Sequence, residues 1–390
     1  MTIQGFTATG ADGRVRLGMV GGGEGAFIGA VHRLAARMDD HYVLAAGALS
    51  SDPERARASG AALGLPPDRC YDDFEAMVRR ERRLKDGVEV VAIVTPNHLH
   101  FPVARACVRA GIHVICDKPL VVSSREARQL AQLVEKHGVV FAVTYNYSGY
   151  PLVREARRLV ADGLLGEIRV VQVEYPQDWL TEKLEDTGQK QAGWRTDPAR
   201  AGAGGCVGDI GTHAFQLAEF VTGLRVESVC AELTSFVPGR PLDDNVQVML
   251  RFHNGARGML WASQVAPGNE NGLRLRVYGS RGGLGWSQEQ PNHLWFGPLN
   301  EPTRRLTRGG PGVGETASRL TRIPAGHPEG YLEGFGNIYA EVARAIRAHG
   351  RGEAVPAEVL FPGLEEGARG VAFIEAAVAS SKRDGRWQRL

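Results

Sequence analysis

The sequence predicts an α/β fold plus an α+β fold: an N-terminal Rossmann domain with a parallel sheet, then a domain built on a large, mostly antiparallel open sheet. A glycine-rich loop follows the first apolar run, and apolar runs then alternate with amphipathic stretches up to about residue 146. Later segments alternate apolar and polar residues without helices between most of them. Because 390 residues exceed what one hydrophobic core usually supports, two domains are expected.

The first part of the chain alternates predicted strands with predicted helices. This order is typical of a parallel sheet with crossover helices. We therefore predict a Rossmann domain over residues 15–146, preceded by a flexible polar leader over residues 1–14. The predicted strands are VRLGMV from Val15, YVLAAGAL, VEVVAIVT (88–95), IHVICD (112–117) and VVFAVTY.

The second part, residues 147–390, is predicted to bind substrate and to mediate oligomerisation, since an open sheet exposes an apolar face unless something covers it. A helix through LVREARRLVADG comes first, and GLEEGARGVAFIEAAVASS has the period of a helix that packs on the sheet. Residues 297–328 are rich in Gly, Pro and Arg and predict a long surface loop. The predicted strands are IRVVQVEYPQ, VESVCAELTSF, NVQVMLRF, ARGMLWASQV and LRLRVYG.

Composition argues against several classes of protein. The formal net charge is +2, from 46 basic and 44 acidic residues that are well mixed, so nucleic acid is not an expected partner. The five cysteines are scattered without a C-x-x-C pair, which predicts neither a disulfide framework nor a metal site and fits a reducing compartment. No signal peptide and no apolar stretch long enough for a membrane span are apparent, so a cytoplasmic protein is expected.

The glycine-rich loop GMVGGGEGAFIGAVH predicts a dinucleotide site. Gly21, Gly23 and Ala26 form the G-x-G-x-x-A pattern between a strand and a helix, and Phe27 and Ile28 begin that helix. Glycines let the backbone approach a pyrophosphate, whose charge then lies at the helix N-terminus. The expected cofactor is NAD or NADP.

The end of the second strand bears on the choice between them. Ser50, Ser51 and Arg55 can bind a 2′-phosphate, whereas Asp52 can reach a ribose hydroxyl, and the balance leans slightly to NADP. Alternatively, Ser50 and Asp52 only cap the next helix.

Four sequence blocks together resemble the Gfo/Idh/MocA family of sugar and cyclitol oxidoreductases. The resemblance covers nearly the whole chain from Val15 onward, in the order and spacing of the family. The blocks are the glycine-rich loop, AIVTPNHLHFPVA (92–104), HVICDKPL (113–120) and GGCVGDIGTHAFQL (204–217).

The resemblance implies further cofactor contacts beside the glycine-rich loop. His100 is expected to be structural rather than catalytic, and aspartate replaces the usual glutamate at position 117, which shortens that side chain by one methylene. Trp194 and Arg195 resemble a pair that approaches the nicotinamide and substrate in some members, or else they are a loop aromatic and a solvated arginine. The implied cofactor contacts are Thr95, Asn97, His100, Asp117, Lys118, Asn146, Trp194 and Arg195.

The resemblance also implies the catalytic residues Lys118, Asp209 and His213. His213 suits a general base, Lys118 stabilises the developing alkoxide, and Asp209 orients its partners; either Lys118 or His213 can be the immediate proton acceptor. Cys206 and Gln216 depart from the family pattern and are expected to alter the substrate pocket.

The expected reaction is reversible oxidation of one secondary hydroxyl of a monosaccharide, anhydrosugar or inositol to a keto product. Polar and aromatic residues after the first long strand suit a polyol. Alternatives on the same fold are a glycosidase that uses tightly bound NAD for transient oxidation, and a non-catalytic sugar or dinucleotide sensor. The expected partners are that small substrate and further copies of the chain, as a dimer or tetramer. The expected substrate-binding residues are Lys118, Tyr175, Gln177, Trp179, Arg195, Asp209 and His213.

Overall fold

A computed structural model describes residues 13–390. Residues 1–12 of the predicted leader therefore lie outside the described residues. Strands and helices first alternate in the order β1 (Val15–Gly21), α1 (Phe27–Met38), β2 (Tyr42–Ala48), α2 (Pro53–Ala62), α3 (Phe74–Glu81), β3 (Val90–Val94), α4 (His100–Arg109), β4 (His113–Cys116), α5 (Ser124–His137) and β5 (Phe141–Val143).

The first sheet is parallel and has the strand order β2-β1-β3-β4-β5. Every residue of β3 is buried, as expected of a strand covered on both faces. The chain moves from β1 to β2 on one side and returns to β3 on the other. In open parallel sheets, ligands bind at the carboxyl ends of strands beside such a switch point. The structure thus confirms the predicted Rossmann sheet.

The remaining elements follow in the order α6 (Pro151–Ala161), β6 (Ile168–Pro176), α7 (Lys190–Arg195), α8 (Pro198–Ala201), a π-helical turn (Val207–Gly211), α9 (Thr212–Thr222), β7 (Val226–Thr234), β8 (Asn245–Phe252), β9 (Arg257–Ser263), β10 (Arg274–Gly279), β11 (Gly282–Ser287), β12 (His293–Pro298), β13 (Arg304–Thr307), α10 (Glu315–Ser318), α11 (Tyr331–Gly350), α12 (Leu364–Ser381) and β14 (Gln388–Arg389).

The second sheet has nine strands in the order β13-β12-β11-β10-β6-β9-β8-β7-β14. Its pairs are antiparallel except β6 with β9, which confirms the mostly antiparallel prediction. The prediction of a loop over residues 297–328 was wrong in part, because β13 and α10 lie there. Each is four residues long, so neither shows a recognisable strand or helix period among the surrounding Gly and Pro residues.

One face of the second sheet is covered by helices. Inward residues of β8, such as Val248, are buried while their neighbours in the strand are exposed. The rings of Phe215 on α9 and Phe373 on α12 stack at a centroid distance of 4.4 Å, within the same core as the inward strand residues. The sheet and these helices therefore share one hydrophobic core, and they fix the position of the segment that joins β6 to β7.

The chain divides into two compact units. Unit 1 comprises the described residues up to Leu120 together with 125–144 and 332–365, and unit 2 comprises 121–124, 145–331 and 366–390. This division differs from a single boundary after residue 146, because α11 belongs to unit 1. The Tyr42 hydroxyl donates to the Tyr339 carbonyl oxygen at 2.7 Å, and these rings also meet edge to face. No helix among residues 13–390 is long and apolar enough to cross a membrane.

Candidate active site

The glycine-rich loop of unit 1 makes close backbone contact with α1. Gly22 has a φ of +73°, and a Cβ there would lie 2.9 Å from the Gly29 Cα. Helix and loop therefore approach each other as only glycines permit. Sequence reasoning did not single out Gly22 or Gly29, although a glycine inside a helix is itself a signal of close packing.

The N-terminus of α1 suits an anion. Ala26 precedes the helix and its side chain makes no capping hydrogen bond, and the first turn contains no acidic residue. In contrast, Asp52 caps α2 and Asp73 caps α3. The first backbone N–H groups of α1, at Phe27 and Ile28, are thus suited to a pyrophosphate, which fits a bound dinucleotide.

Gly23 lies where the loop approaches the end of β2. Its N–H donates to the Leu49 carbonyl oxygen at 3.2 Å, and a Cβ at this position would lie 2.7 Å from that oxygen. The Ser59 hydroxyl accepts from the Glu24 N–H at 3.0 Å. The close approach between loop and strand therefore requires glycine at position 23 even without a bound cofactor. Ser59 is a supporting contact that was not predicted from the sequence.

The residues expected near the adenosine ribose lie at the start of α2. Ser50 Oγ accepts from the Asp52 N–H at 3.1 Å, and Asp52 Oδ1 accepts from the Arg55 N–H at 2.8 Å. Ser51 and Arg55 are exposed. Asp52 thus caps α2, as in the alternative interpretation, whereas Ser50 bonds the residue that precedes the helix. The Arg55 guanidinium donates to the Glu24 carbonyl oxygen of the glycine-rich loop at 3.4 Å.

His100 connects the ends of β3 and β4. Its Nδ1 lies 2.8 Å from the Pro119 carbonyl oxygen and its Nε2 lies 2.9 Å from the Thr95 carbonyl oxygen. Burial lowers the pKa of His100. Both contacts are to backbone carbonyls, so the ring ties together the segments that carry Thr95, Asn97 and Lys118.

Asp117 and Lys118 follow β4 in unit 1 and are half-buried. Asp117 Oδ1 accepts from the Thr144 hydroxyl at 2.8 Å and from the Lys118 N–H at 2.9 Å. The shorter carboxylate at this family position is therefore held within its own unit by a threonine that sequence reasoning missed.

Asp209 and His213 lie in unit 2. Asp209 is in the π-helical turn and His213 in the first turn of α9, so the regular α-helical spacing expected from the sequence is interrupted between them. Single π turns in helices frequently occur at functional sites. Asp243 holds the start of this turn, since its carboxylate accepts from the Gly205 N–H at 2.6 Å and the Val207 N–H at 2.8 Å. Burial raises the pKa of Asp243 to about 6.

Two donors converge on one oxygen of Asp209. Arg195 Nε lies 3.2 Å and Gln264 Nε2 lies 2.9 Å from Asp209 Oδ2. The Arg195 guanidinium also stacks on the Trp194 ring, 4.3 Å from its centroid. Arg195 is therefore an ion-pair partner of Asp209 rather than a solvated loop arginine.

Three tyrosine rings surround His213, whose exposed fraction is 7%. Tyr147, Tyr145 and Tyr175 lie edge to face with the imidazole at centroid distances of 5.0, 5.6 and 6.3 Å. The Tyr145 and Thr212 hydroxyls are 2.8 Å apart. These aromatic rings exclude water from most of the imidazole.

A directed hydrogen-bond chain runs along the same side of unit 2. The Tyr147 and Tyr175 hydroxyls bond each other, and Tyr175 Oη donates to Asn271 Oδ1 at 2.8 Å. Gln177 Nε2 donates to the same oxygen at 2.7 Å. Since Tyr175 has one proton, Tyr147 must donate to Tyr175, and the Tyr147 oxygen can only accept elsewhere. Burial raises the pKa of Tyr147 to about 12.

Two further expected residues lie in unit 2. Trp179 is half-buried after β6. Asn146 is 2% exposed, and its side-chain Nδ2 has no hydrogen-bond partner among the residues that the structure describes. A buried amide donor without a partner is costly unless a ligand or water satisfies it, which fits a bound cofactor or substrate.

The sequence analysis missed Tyr145, Tyr147, Gln264 and Asn271. Gln264 had a detectable signal, because it continues the inward positions of β9 after Leu260 and Ala262. A polar side chain at an inward strand position needs a buried partner. Within residues 13–390, no cluster of three His, Cys, Asp or Glu side chains could hold a metal ion.

Comparison with known proteins agrees with this architecture. Residues 15–145 match the oxidoreductase family with an NAD-binding Rossmann fold, and residues 153–285 match the Gfo/Idh/MocA C-terminal domain. The uncharacterized oxidoreductase YfiI of Bacillus subtilis (strain 168) is 35% identical over 378 residues, which cover 96% of each chain.

The names of two further relatives state a substrate. A crystal structure of an inositol dehydrogenase homolog from Azotobacter vinelandii, complexed with NADH and myo-inositol, is 38% identical with a TM-score of 0.91 and covers 97% of this chain and 98% of its own. Levoglucosan dehydrogenase of Pseudarthrobacter phenanthrenivorans is 28% identical and covers 96% of this chain and 97% of its own. The chain is thus an NAD(P)-dependent oxidoreductase and belongs to the Gfo/Idh/MocA family.

Proposed function

We propose that the protein oxidises a secondary hydroxyl of a monosaccharide, anhydrosugar or inositol to a keto product, by reversible hydride transfer to NAD(P). The observation that carries this proposal is the pairing of Asp209 with Arg195 and Gln264 beside a histidine enclosed by tyrosines. Carboxylate, amide and phenol groups bind polyol hydroxyls, and aromatic rings stack on the apolar faces of a sugar. The myo-inositol complex and the levoglucosan dehydrogenase among the relatives support this substrate class.

We assign the proton chemistry to His213, Lys118 and Asp209. His213 accepts the hydroxyl proton, because a neutral imidazole is a general base and this ring is held by tyrosines. Lys118 stabilises the developing alkoxide with its ammonium charge. Asp209 accepts a hydrogen bond from a second substrate hydroxyl and so orients the ring. Bound NAD(P) supplies the hydride acceptor.

The cofactor is assigned to unit 1 by the same reasoning. The start of α1, with Gly21, Gly23, Ala26, Phe27 and Ile28, holds the pyrophosphate. Thr95, Asn97 and Asp117 line the nicotinamide side, with His100 in a structural role. Ser50, Ser51 and Arg55 at the exposed edge favour NADP slightly over NAD.

Steady-state assays test the proposed function. The purified protein is incubated with NAD or NADP and, in turn, myo-inositol, levoglucosan, D-glucose and D-xylose, and reduced nicotinamide is followed by absorbance. We expect reduced cofactor to accumulate with at least one polyol and not when either polyol or cofactor is omitted. Absence of reduced cofactor with every polyol and both cofactors would contradict the proposal.

Ser50→Asp is expected to shift cofactor preference toward NAD. The new carboxylate can still accept from the Asp52 N–H, but it also accepts ribose hydroxyls and repels a 2′-phosphate. The ratio of kcat/KM for NADP to that for NAD should fall by about tenfold or more, the factor that corresponds to ~1.4 kcal/mol. Ser318→Asp, which adds the same charge at an exposed site in unit 2, should leave the ratio unchanged. An unchanged ratio in Ser50→Asp would show that position 50 does not contact the ribose.

The uncovered face of the second sheet predicts a homodimer or homotetramer. Met249 and Met259 are directly opposite each other on β8 and β9, and each is about half exposed. Val170, Tyr278 and Trp295 are also exposed on strands of this sheet. A sheet face with several exposed apolar side chains is expected to pair with a second copy.

Light scattering at micromolar concentration tests the expected assembly. Met249→Asp with Met259→Asp should reduce the mass, because opposed carboxylates disfavour burial. Leu34→Asp on the exposed side of α1 is the matched control and should keep the mass of the wild type. A monomeric wild type would contradict this expectation.

A further inference from the structure

Gln264 is a buried amide held rigidly at the end of β9. Its exposed fraction is 2%. Its backbone N–H donates to the Asp244 carbonyl oxygen at 2.8 Å, and its own carbonyl oxygen accepts from the Leu180 N–H at 3.0 Å. Because β6 and β9 are parallel neighbours, Gln264 emerges beside the end of β6, where Gln177 begins the segment expected to bind substrate. The backbone of Gln264 is therefore fixed on both sides.

The side chain of Gln264 is directed at Asp209. Its Nε2 donates to Asp209 Oδ2 at 2.9 Å, closer than Arg195 Nε at 3.2 Å. Arg195 belongs to the short helix α7 and its side chain is 24% exposed, whereas Gln264 extends from the sheet. A neutral donor fixes a carboxylate without cancelling its charge, so Asp209 stays an anionic acceptor in a defined orientation.

We propose that Gln264 is a positioning residue for catalysis, whose amide holds Asp209 as the ionised acceptor of a substrate hydroxyl. The proposal rests on the proposed function, because it presumes that Asp209 binds the polyol. Gln264 is assigned no contact with substrate or cofactor, so removing its amide is expected to act on the reaction through Asp209.

Other ionisable groups also act on Asp209. Arg195 stabilises its ionised form, so loss of Gln264 weakens the preference for the carboxylate without abolishing it. The phenols and the thiol nearby are neutral at pH 7, since burial raises the pKa of each. The ionisable groups that interact electrostatically with Asp209 include Arg195 on α7, Cys206 before the π-helical turn, Tyr147 after β5 and Tyr175 on β6.

Two substitutions separate positioning from packing. Gln264→Met keeps the volume and removes the donor, whereas Gln264→Glu keeps the shape and adds a second acid, which can share a hydrogen bond with Asp209 only when one of the two carboxyl groups is protonated. Gln247→Met, on the exposed side of β8, is the matched control. Thermal unfolding of each variant verifies that it folds.

Infrared difference titration of the free protein gives a readout that needs no activity. The carboxyl band of Asp209 is identified by its absence from Asp209→Asn. In Gln264→Met, we expect this carboxyl group to protonate at a pH about one unit higher than in the wild type, since the lost hydrogen bond favoured the charged form. Gln247→Met should titrate as the wild type does.

Kinetics with myo-inositol and NAD give the second readout. In Gln264→Met, kcat/KM for myo-inositol at pH 7 should fall about tenfold, mainly through KM, while KM for NAD stays within about twofold of the wild type. Gln264→Glu should lose more at pH 7 and recover part of that loss as the pH is lowered toward 5. A purely structural role of Gln264 predicts no recovery at acid pH.

The two readouts have distinct failures. An unchanged titration of Asp209 in Gln264→Met would overturn the positioning role, whether or not the wild type turns over myo-inositol. If the titration of Asp209 shifts in Gln264→Met but the wild-type protein oxidises no polyol, the positioning role is supported and the proposed function is refuted. Equal losses in Gln264→Met and Gln264→Glu at every pH would also overturn the inference.

Discussion

Replacing Lys118 by methionine is expected to lower kcat for polyol oxidation by roughly 10²- to 10⁴-fold, the range usual for groups that stabilise or transfer charge in a transition state. Methionine keeps an apolar stem of similar length but removes the ammonium group that favours the alkoxide. The backbone around position 118 should persist, because Asp117 accepts from the Lys118 backbone N–H and the Thr144 hydroxyl, and the substitution retains both donors.

The Lys118→Met result is read from kcat and KM for the best polyol, together with the dissociation constant of reduced cofactor from fluorescence titration. Lys136→Met, on the exposed surface of α5 in the same unit, removes the same charge and should retain wild-type turnover. Turnover close to wild type in Lys118→Met would show that this lysine does not stabilise the alkoxide.

His213→Ala is expected to lower kcat by roughly 10²- to 10⁴-fold while cofactor affinity stays near that of the wild type. The substitution removes the proposed base but leaves Tyr145, Tyr147 and Tyr175 in place around the vacated position. Binding and turnover should therefore separate in this variant, because the groups assigned to the cofactor pyrophosphate lie in unit 1.

The control for His213 is His327→Ala, at an exposed loop position of unit 2. It should match the wild type in both kcat and cofactor binding. If His213→Ala turned over at nearly the wild-type rate, the base would have to be another group. If both the Lys118 and the His213 variants turned over at nearly the wild-type rate, neither residue would take part in the reaction.

The fold was predictable wherever the hydrophobic pattern is long and regular. Strands β6 to β10 and the alternation in unit 1 were identified because apolar residues repeat at the strand or helix period over several turns. Strands β11 to β14 were missed. Glycine occupies three of the six positions of β11, and β14 has two residues, so neither has a usable period.

The grouping of α11 with unit 1 was not predictable for a different reason. Its position depends on tertiary contacts such as the one between Tyr42 and Tyr339, which lie 297 residues apart in the chain. Periodicity describes which face of a helix is apolar but not which core receives that face.

The candidate site was predictable where a motif fixes the residue. Asp209, His213 and Lys118 stand in the family blocks, and the family membership itself is confirmed. Gln264 and Asn271 lie on other strands or loops and reach the site only through the sheet register. The π-helical turn that contains Asp209 likewise has no signature in a single sequence.

Product stoichiometry with a ring-deuterated substrate tests whether the protein transfers a hydride from a polyol carbon to the nicotinamide. The wild-type protein is incubated with NAD or NADP and deuterated myo-inositol or levoglucosan, and both products are analysed by mass spectrometry. We expect one deuterium on the reduced nicotinamide for each keto product formed, in a one-to-one ratio. Two results would contradict net hydride transfer. In one, the protein binds cofactor and polyol but neither deuterated polyol yields deuterated nicotinamide or a keto product. In the other, the protein cleaves a glycosidic bond without net reduction of the cofactor.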